Sequence, residues 1–288
     1  MKSADVAYIT GAGGYLGSRL SAALRTAGVR VIDDPACDLL QLKEARPRMV
    51  FHCAGRTSGS AEELNASNVA LTESLFATLA GARLTPRVVV PGSAAEYGTL
   101  PAGATSGFTE TSPPQPSGLY GLSKLQQTKT ALAWAARGQD VVVGRIFNII
   151  GPEIPATMAL GAFASQLQAI KEGRQPPRLE VGDLTALRDY VDITDVLGAL
   201  HLLSQRGQKG EIYNICSGLP VAMADLLGML IDASGLTVEV VSRPLESRST
   251  GTSRSWGSLD KIHKDCQWSP RKTLKQSVED LAARSFGD

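Results

Sequence analysis

The chain has 288 residues with 29 basic and 28 acidic side chains, a net charge of +1 that gives no reason to expect nucleic acid or an anionic membrane as partner. A hydrophobic content of 43% and a charged content of 20% belong to a folded soluble protein, long enough for one large core or two modest domains. Cys37, Cys53, Cys216 and Cys266 form no CxxC pair and lack histidines at ligand spacing, and no apolar run is long enough to span a bilayer; reduced thiols, no metal, no signal peptide, no membrane segment and a cytoplasmic location are expected.

In chain order, Val6–Thr10 is a short apolar run that stops at glycine and reads as a buried parallel strand. Gly11-Ala12-Gly13-Gly14-Tyr15-Leu16-Gly17 follows, then apolar residues at helical spacing (Leu16, Leu20, Ala23, Leu24), with Gly28 ending the helix before a strand from Val29 to Ile32. Strand, glycine turn, helix and strand within about thirty residues is the context of a dinucleotide fingerprint, here GxxGxxG on Gly11, Gly14 and Gly17. Glycines let the backbone approach a pyrophosphate, and the helix N-terminus offers it unpaired N–H groups. Asp33 and Asp34 end the second strand, where a carboxylate bonds the ribose hydroxyls of NAD and repels the extra phosphate of NADP. NAD is therefore favoured over NADP, although Arg19 on the first helix is a possible phosphate partner. Asp38 and Leu39 are expected beside the adenine.

Met49–Gly55 is a further buried strand, with Ala54 and Gly55 ending it near the cofactor and His52 inside it as a satisfied core histidine. A helix is expected over 61–80, then a strand over 87–90 leading into Gly92-Ser93-Ala94-Ala95-Glu96-Tyr97-Gly98. Ser93 thus falls at the C-terminal end of a parallel strand, where open α/β sheets bind ligands. Residues 99–118, rich in Gly, Pro, Ser and Thr, read as an active-site loop. Tyr120 and Lys124, four apart, share one helix face. An ammonium beside a phenol lowers its pKa, and such a Tyr can exchange a proton with a carbinol oxygen.

Beyond, Val141–Ile146 reads as a strand, followed by Asn148 and Gly151-Pro152. Helices are expected at 161–172, 195–205, 224–234 and 273–284, and strands at 175–181, 211–215 and 238–241. Asp192 and Asp195 read as helix caps, His201 as structural, and Trp256 and Trp268 as packing of a small domain.

TGAGGYLG at 10–17, GSAAEYG at 92–98, YGLSK at 120–124, RIFNIIGP at 145–152 and RDYVDITDV at 188–196 together resemble the extended short-chain dehydrogenase/reductases that act on nucleotide sugars, the NAD-dependent epimerase/dehydratase family. Within it, GSAAEYG, VGDLTALRDYVDITDV at 181–196 and YNICSG at 213–218 are most similar to GDP-4-keto-6-deoxymannose reductases. The resemblance implies an α/β fold with a doubly wound Rossmann-type sheet and a smaller C-terminal α/β substrate domain. Residues 1–150 with 185–208 would bind NAD(P), and 151–184 with 209–288 the nucleotide sugar. It implies catalysis by Ser93, Tyr120 and Lys124, and a cofactor site on Gly11, Gly13, Gly14, Tyr15, Leu16, Gly17, Asp33, Asp34, Asp38, Leu39, Ala54, Gly55, Tyr120 and Lys124. A nucleotide-diphosphate sugar would meet Ser93, Ala94, Ala95, Asn148, Arg188 and Arg248, and a homodimer is implied through helices 61–80 and 118–136. The residue readings that compete are an Asn148 that satisfies turn backbone, an Arg188 paired with Asp189 or Asp192, and a solvated Arg248.

Dehydratases of this family carry an acid and a base just after the catalytic Ser or Thr, where this chain has Ala94 and Ala95. Alanine transfers no proton, and Glu96 next door points elsewhere in an extended segment. What remains is redox at one carbon or 4-epimerisation by reversible oxidation, and of these the resemblance implies reduction of a nucleotide-activated 4-keto-6-deoxyhexose. The alternatives are a nucleotide-sugar 4-epimerase and a cofactor-binding sensor without catalysis. The run 246–258 lacks the family's usual Pro and Asp after its arginine, which leaves the nucleotide base open.

Overall fold

The structure, a computed structural model, describes residues 6–242 and 253–287. Its strands are β1 (Val6–Thr10), β2 (Arg30–Asp34), β3 (Met49–His52), β4 (Arg87–Ser93), β5 (Asp140–Ile146), β6 (Asn148–Ile150), β7 (Arg178–Val181), β8 (Leu187–Asp192), β9 (Ile212–Ile215), β10 (Pro220–Ala222), β11 (Glu239–Ser242) and β12 (Arg254–Ser255). Six of them form one parallel sheet in the order β2-β1-β3-β4-β5-β9. Helices cover both faces, so the middles of the central strands are apolar; Val88 to Val90 and Val141 to Val143 are all fully buried. The order reverses between β1 and β3, the switch point at which such sheets bind ligands. The register sets Thr10 opposite Asp34 and His52, and Ser93 opposite Ile146. The carboxyl ends therefore share one edge, and the chemistry-bearing residues gather there.

A smaller layer lies beyond that edge. β8 pairs with β6, β10 and β12, and β7 with β11. Helices Ala159–Lys171, Met223–Ser234 and Leu274–Phe286 pack a second core around Leu167, Leu179, Leu226, Leu230 and Leu281.

Three assignments differ from the sequence expectation. β9 joins the central sheet, although 209–288 was assigned to the substrate domain: Tyr213 and Ile215 are fully buried against β5 and complete its edge. Within 185–208, the helix Ile193–Arg206 does return to the central core, but β8 itself builds the second sheet. Trp268 packs with Ile262 in the central core instead of the small domain, while Trp256 joins Tyr97, Phe108 and Phe147 in a cluster between the layers.

The helix expected over 61–80 runs from Ala61 to Gly81, opened by a reciprocal Ser60–Glu63 capping box and interrupted by a π turn at Asn65–Ala70. Such bulges re-aim side chains. This one turns Asn68 inward, where Nδ2 donates to Ser123 Oγ (2.9 Å) and Oδ1 accepts the Arg56 amide (2.8 Å).

Candidate active site

The cofactor cradle begins at the glycine turn. Gly11 has φ +66°, and a Cβ there would stand 2.5 Å from the Ala54 nitrogen. A Cβ on Gly17 would stand 2.3 Å from the Gly11 oxygen. Only glycine at both positions lets the helix Tyr15–Thr26 start this close to β1. That helix has Gly14 as its N-cap, with no side-chain cap and no acidic residue in its first turn, so its N–H groups face outward unopposed. From the turn a cavity of about 430 Å³ runs past Gly55, Asn68 and Ser93 to Tyr120 and Lys124. A second cavity of about 390 Å³ is lined by Ala94, Ala95, Tyr120, Asn148 and Arg188. Ser93, Tyr120 and Asn148 line both. Uncapped N–H groups at the turn and a long cleft from there to a phenol fit a dinucleotide.

Ser93 caps the short turn Ala94–Glu96, where its Oγ accepts the Ala95 amide (3.2 Å) and keeps a proton to donate. Its hydroxyl lies beside the Tyr120 phenol on the wall of both cavities. Burial holds that phenol above its ordinary value, the neighbouring Ser93 hydroxyl draws it back, and the Glu96 charge adds to the rise. The sequence led us to expect a phenol depressed by Lys124. The arrangement differs because the Lys124 ammonium is engaged elsewhere, with the Pro91 carbonyl at 2.6 Å and the Gln127 side-chain oxygen. Burial brings Lys124 itself down to about 8, against the pull of Glu96 and Cys53.

Glu96 is wholly committed to structure. Oε1 accepts the Ser93 amide (2.8 Å), and Oε2 meets Arg145 Nε (2.8 Å) with both side chains buried. The sequence argument set Glu96 aside because adjacent side chains alternate in an extended segment; Ala94–Glu96 is instead a 3-10 turn, and it is these bonds that hold Glu96 away from a substrate.

Of the two aspartates, Asp34 is buried. Its carboxylate accepts the Tyr8 hydroxyl (3.0 Å) and the amides of Asp38 and Leu39 (3.1 Å each), so it folds the turn instead of facing a ribose. Asp33 is exposed, bonded by Ser21 Oγ (2.7 Å) and paired with Arg25 (2.7 Å). Asp38 is exposed and Leu39 buried on the same turn. Arg19 is not near it: the guanidinium lies over the Tyr15 ring and bonds the Pro152 carbonyl (3.0 Å) and Glu153 (2.8 Å), tying the first helix to the second layer.

On the other side, Asn148 donates to the Asp189 carbonyl (2.9 Å) while lining both cavities. Arg188 reaches the Ser253 carbonyl (2.8 Å) and hydroxyl (2.9 Å). Its neighbours Asp189 and Asp192 serve other donors: Asp189 the amides of Ser217, Gly218 and Gly257, Asp192 the Thr194 amide as a helix cap. Arg248 lies outside the described residues. His52 is buried with both ring nitrogens bonded, to Thr10 (2.8 Å) and Thr72 (2.9 Å), the structural role expected. Sequence reasoning missed Asn68, Arg56 and Gln127. A π turn leaves no pattern in hydrophobic periodicity, and a Gln three residues after Lys124 looks like any helical position.

The chain belongs to the NAD dependent epimerase/dehydratase family, whose model matches residues 7–216. It is 32% identical to the GDP-6-deoxy-D-mannose reductase of Pseudomonas aeruginosa, over 94% of each chain. It is also 32% identical to the dTDP-6-deoxy-L-talose 4-dehydrogenase (NAD(P)(+)) of Kitasatospora kifunensis, over 86% of this chain and 78% of that one. Among solved structures, RMD from Pseudomonas aeruginosa complexed with NADPH superposes with a TM-score of 0.89 at 28% identity, covering 98% of this chain and 99% of that one. MoeE5 in complex with UDP-glucuronic acid and NAD gives 0.83 at 26% identity, covering 97% and 98%.

Proposed function

We propose that the protein reduces the 4-keto group of a nucleotide-activated 4-keto-6-deoxyhexose with a nicotinamide cofactor. The observation that carries this reading is Tyr120 at the junction of two cavities beside Ser93, a phenol that is protonated at neutral pH and can donate where the two clefts meet. A reductase needs a proton donor at the carbonyl oxygen. An epimerase would use the same phenol first as base and then as acid. Ala94 and Ala95 in place of an acid and a base, with Glu96 held by Arg145, argue against dehydration. The two relatives at 32% identity act on 6-deoxyhexose nucleotides by name, which supports the same substrate class here.

In this reading the helix N-terminus at Gly14 and the glycines at 11 and 17 hold the cofactor pyrophosphate. Ala54, Gly55 and Lys124 line its course, and Asp33 stands toward the adenosine ribose with Asp38 and Leu39 beside the base. An exposed carboxylate at the end of β2 favours NAD over NADP. Bound there, the cofactor supplies the hydride. Tyr120 gives its phenolic proton to the carbonyl oxygen as that oxygen becomes a hydroxyl. Ser93 donates a hydrogen bond to the same oxygen, and Lys124 places positive charge behind it. Arg188 and Asn148 meet the substrate's diphosphate; a guanidinium suits the task because it is planar and always charged. Arg248 extends that grip toward the nucleotide. A cytoplasmic homodimer through helices 61–80 and 118–136 completes the reading.

The test is Tyr120→Phe. Turnover should fall on the order of a hundredfold or more, with cofactor affinity nearly unchanged. Equal turnover would remove Tyr120 as the proton donor.

A further inference from the structure

Behind Lys124 lies a run of buried polar side chains that the reaction itself does not use. Gln127 and His52 are each 1% exposed, and Thr72 and Thr10 are fully buried. Their hydrogen bonds can be assigned a direction. The Thr72 hydroxyl donates to the Asn68 carbonyl at 2.7 Å, which spends its single proton. Two nitrogens then approach the same oxygen, Gln127 Nε2 at 3.0 Å and His52 Nε2 at 2.9 Å, and both must donate. His52 thereby carries its proton on Nε2, and Nδ1 accepts from the Thr10 hydroxyl at 2.8 Å. The Gln127 amide has its nitrogen fixed on Thr72, which turns its oxygen toward the Lys124 ammonium. The reversed amide would set two N–H donors against an ammonium and a carbonyl against an oxygen with no proton left to give.

We propose that Gln127 is the positioning residue of Lys124: its side-chain oxygen, locked in orientation by Thr72 and a neutral His52, keeps the ammonium charged and aimed along the cofactor cleft. The inference rests on reading Lys124 as part of the catalytic trio. Lys and Gln at i and i+3 face each other on one helix. With the Pro91 carbonyl, Gln127 takes two of the three ammonium protons and leaves the third for the cleft that Lys124 lines. Burial works against the charge, so a buried acceptor beside it decides whether the ammonium persists at neutral pH. The titratable groups around it are Glu96 from the turn after β4 and Cys53 and His52 from the end of β3, with Tyr120 one helical turn earlier on the wall of the same cavity. Glu96, the anion among them, is tied to Arg145 and to the Ser93 amide.

The experiment is an NMR titration of the Lys124 side chain in the full chain with labelled lysine, for the native protein, Gln127→Leu and Gln127→Glu. Gln127→Leu removes the acceptor at similar size, and the Lys124 midpoint should fall by about one pH unit or more. Gln127→Glu keeps an oxygen facing Lys124 and adds negative charge, and the midpoint should rise. NADH titrated by fluorescence at pH 7.5 should bind more weakly to Gln127→Leu than to Gln127→Glu. A midpoint unchanged in both variants overturns the inference whatever the substrate is. If Gln127→Leu does not fold, Gln127→Glu carries the test, and a midpoint that stays or falls overturns it. A shifted midpoint together with a native protein that reduces no keto sugar would uphold this inference and overturn the proposed function, so the two failures are distinct.

Discussion

Glu96 Oε2 stands 2.8 Å from Arg145 Nε with both side chains out of solvent, and the same carboxylate accepts the Ser93 amide through its other oxygen. The Arg145 guanidinium lies 4.5 Å from the Tyr97 ring centre, and Tyr97 bonds Asn214 at 2.7 Å. The ion pair thus joins β4, β5 and β9 directly beneath the proposed catalytic serine. Breaking a buried pair leaves an uncompensated charge. Glu96→Leu should therefore cost about 3–5 kcal/mol in denaturant unfolding and should also slow turnover through Ser93. Unchanged stability would mean that Arg145 finds another partner.

Asp33 is the exposed carboxylate at the end of β2, since Asp34 is buried in the following turn. Asp33→Ser should shift the ratio of kcat/KM for NADPH over NADH upward on the order of tenfold, because a phosphate no longer meets a carboxylate. It also frees Arg25, which Asp33 now pairs. A ratio that does not move would place the ribose against another residue.

His52 has its pKa lowered from the ordinary 6.5 to about 3 by burial, with the Lys124 charge adding to the effect. The folded state binds the proton less well than the unfolded state, so the unfolded chain takes it up first as pH falls. Stability is fully present above pH 6.5 and declines as pH drops toward 3. His52→Gln should flatten that decline by up to one proton in the slope of unfolding free energy against pH. Identical slopes in the two proteins would contradict it.

Much of this architecture was legible in the sequence because its signals are local. The strand–glycine–helix run at 6–32 specifies a geometry that only glycine satisfies at Gly11 and Gly17. The YxxxK spacing puts Tyr120 and Lys124 on one helix face. What escaped is tertiary. Asp33 and Asp34 are neighbours in sequence with opposite fates, and only the turn through Leu39 decides which is buried. Arg19 reads as a phosphate partner until the second layer brings Glu153 to it. β9 reads as part of the C-terminal unit because nothing local records its pairing with β5. The raised Tyr120 phenol was missed for the same reason: helical spacing predicts proximity to Lys124 but says nothing of burial, nor of the Pro91 and Gln127 oxygens that hold the ammonium.

The central claim is most directly tested by following loss of reduced nicotinamide absorbance with purified protein. GDP-4-keto-6-deoxymannose and its thymidine counterpart would each be supplied with NADH and with NADPH. The account predicts stoichiometric loss with one of these sugars, faster with NADH, and a 4-hydroxy sugar as product. No loss with any pair, from protein that carries tightly bound nicotinamide and interconverts 4-hydroxyl epimers, would contradict it and identify an epimerase.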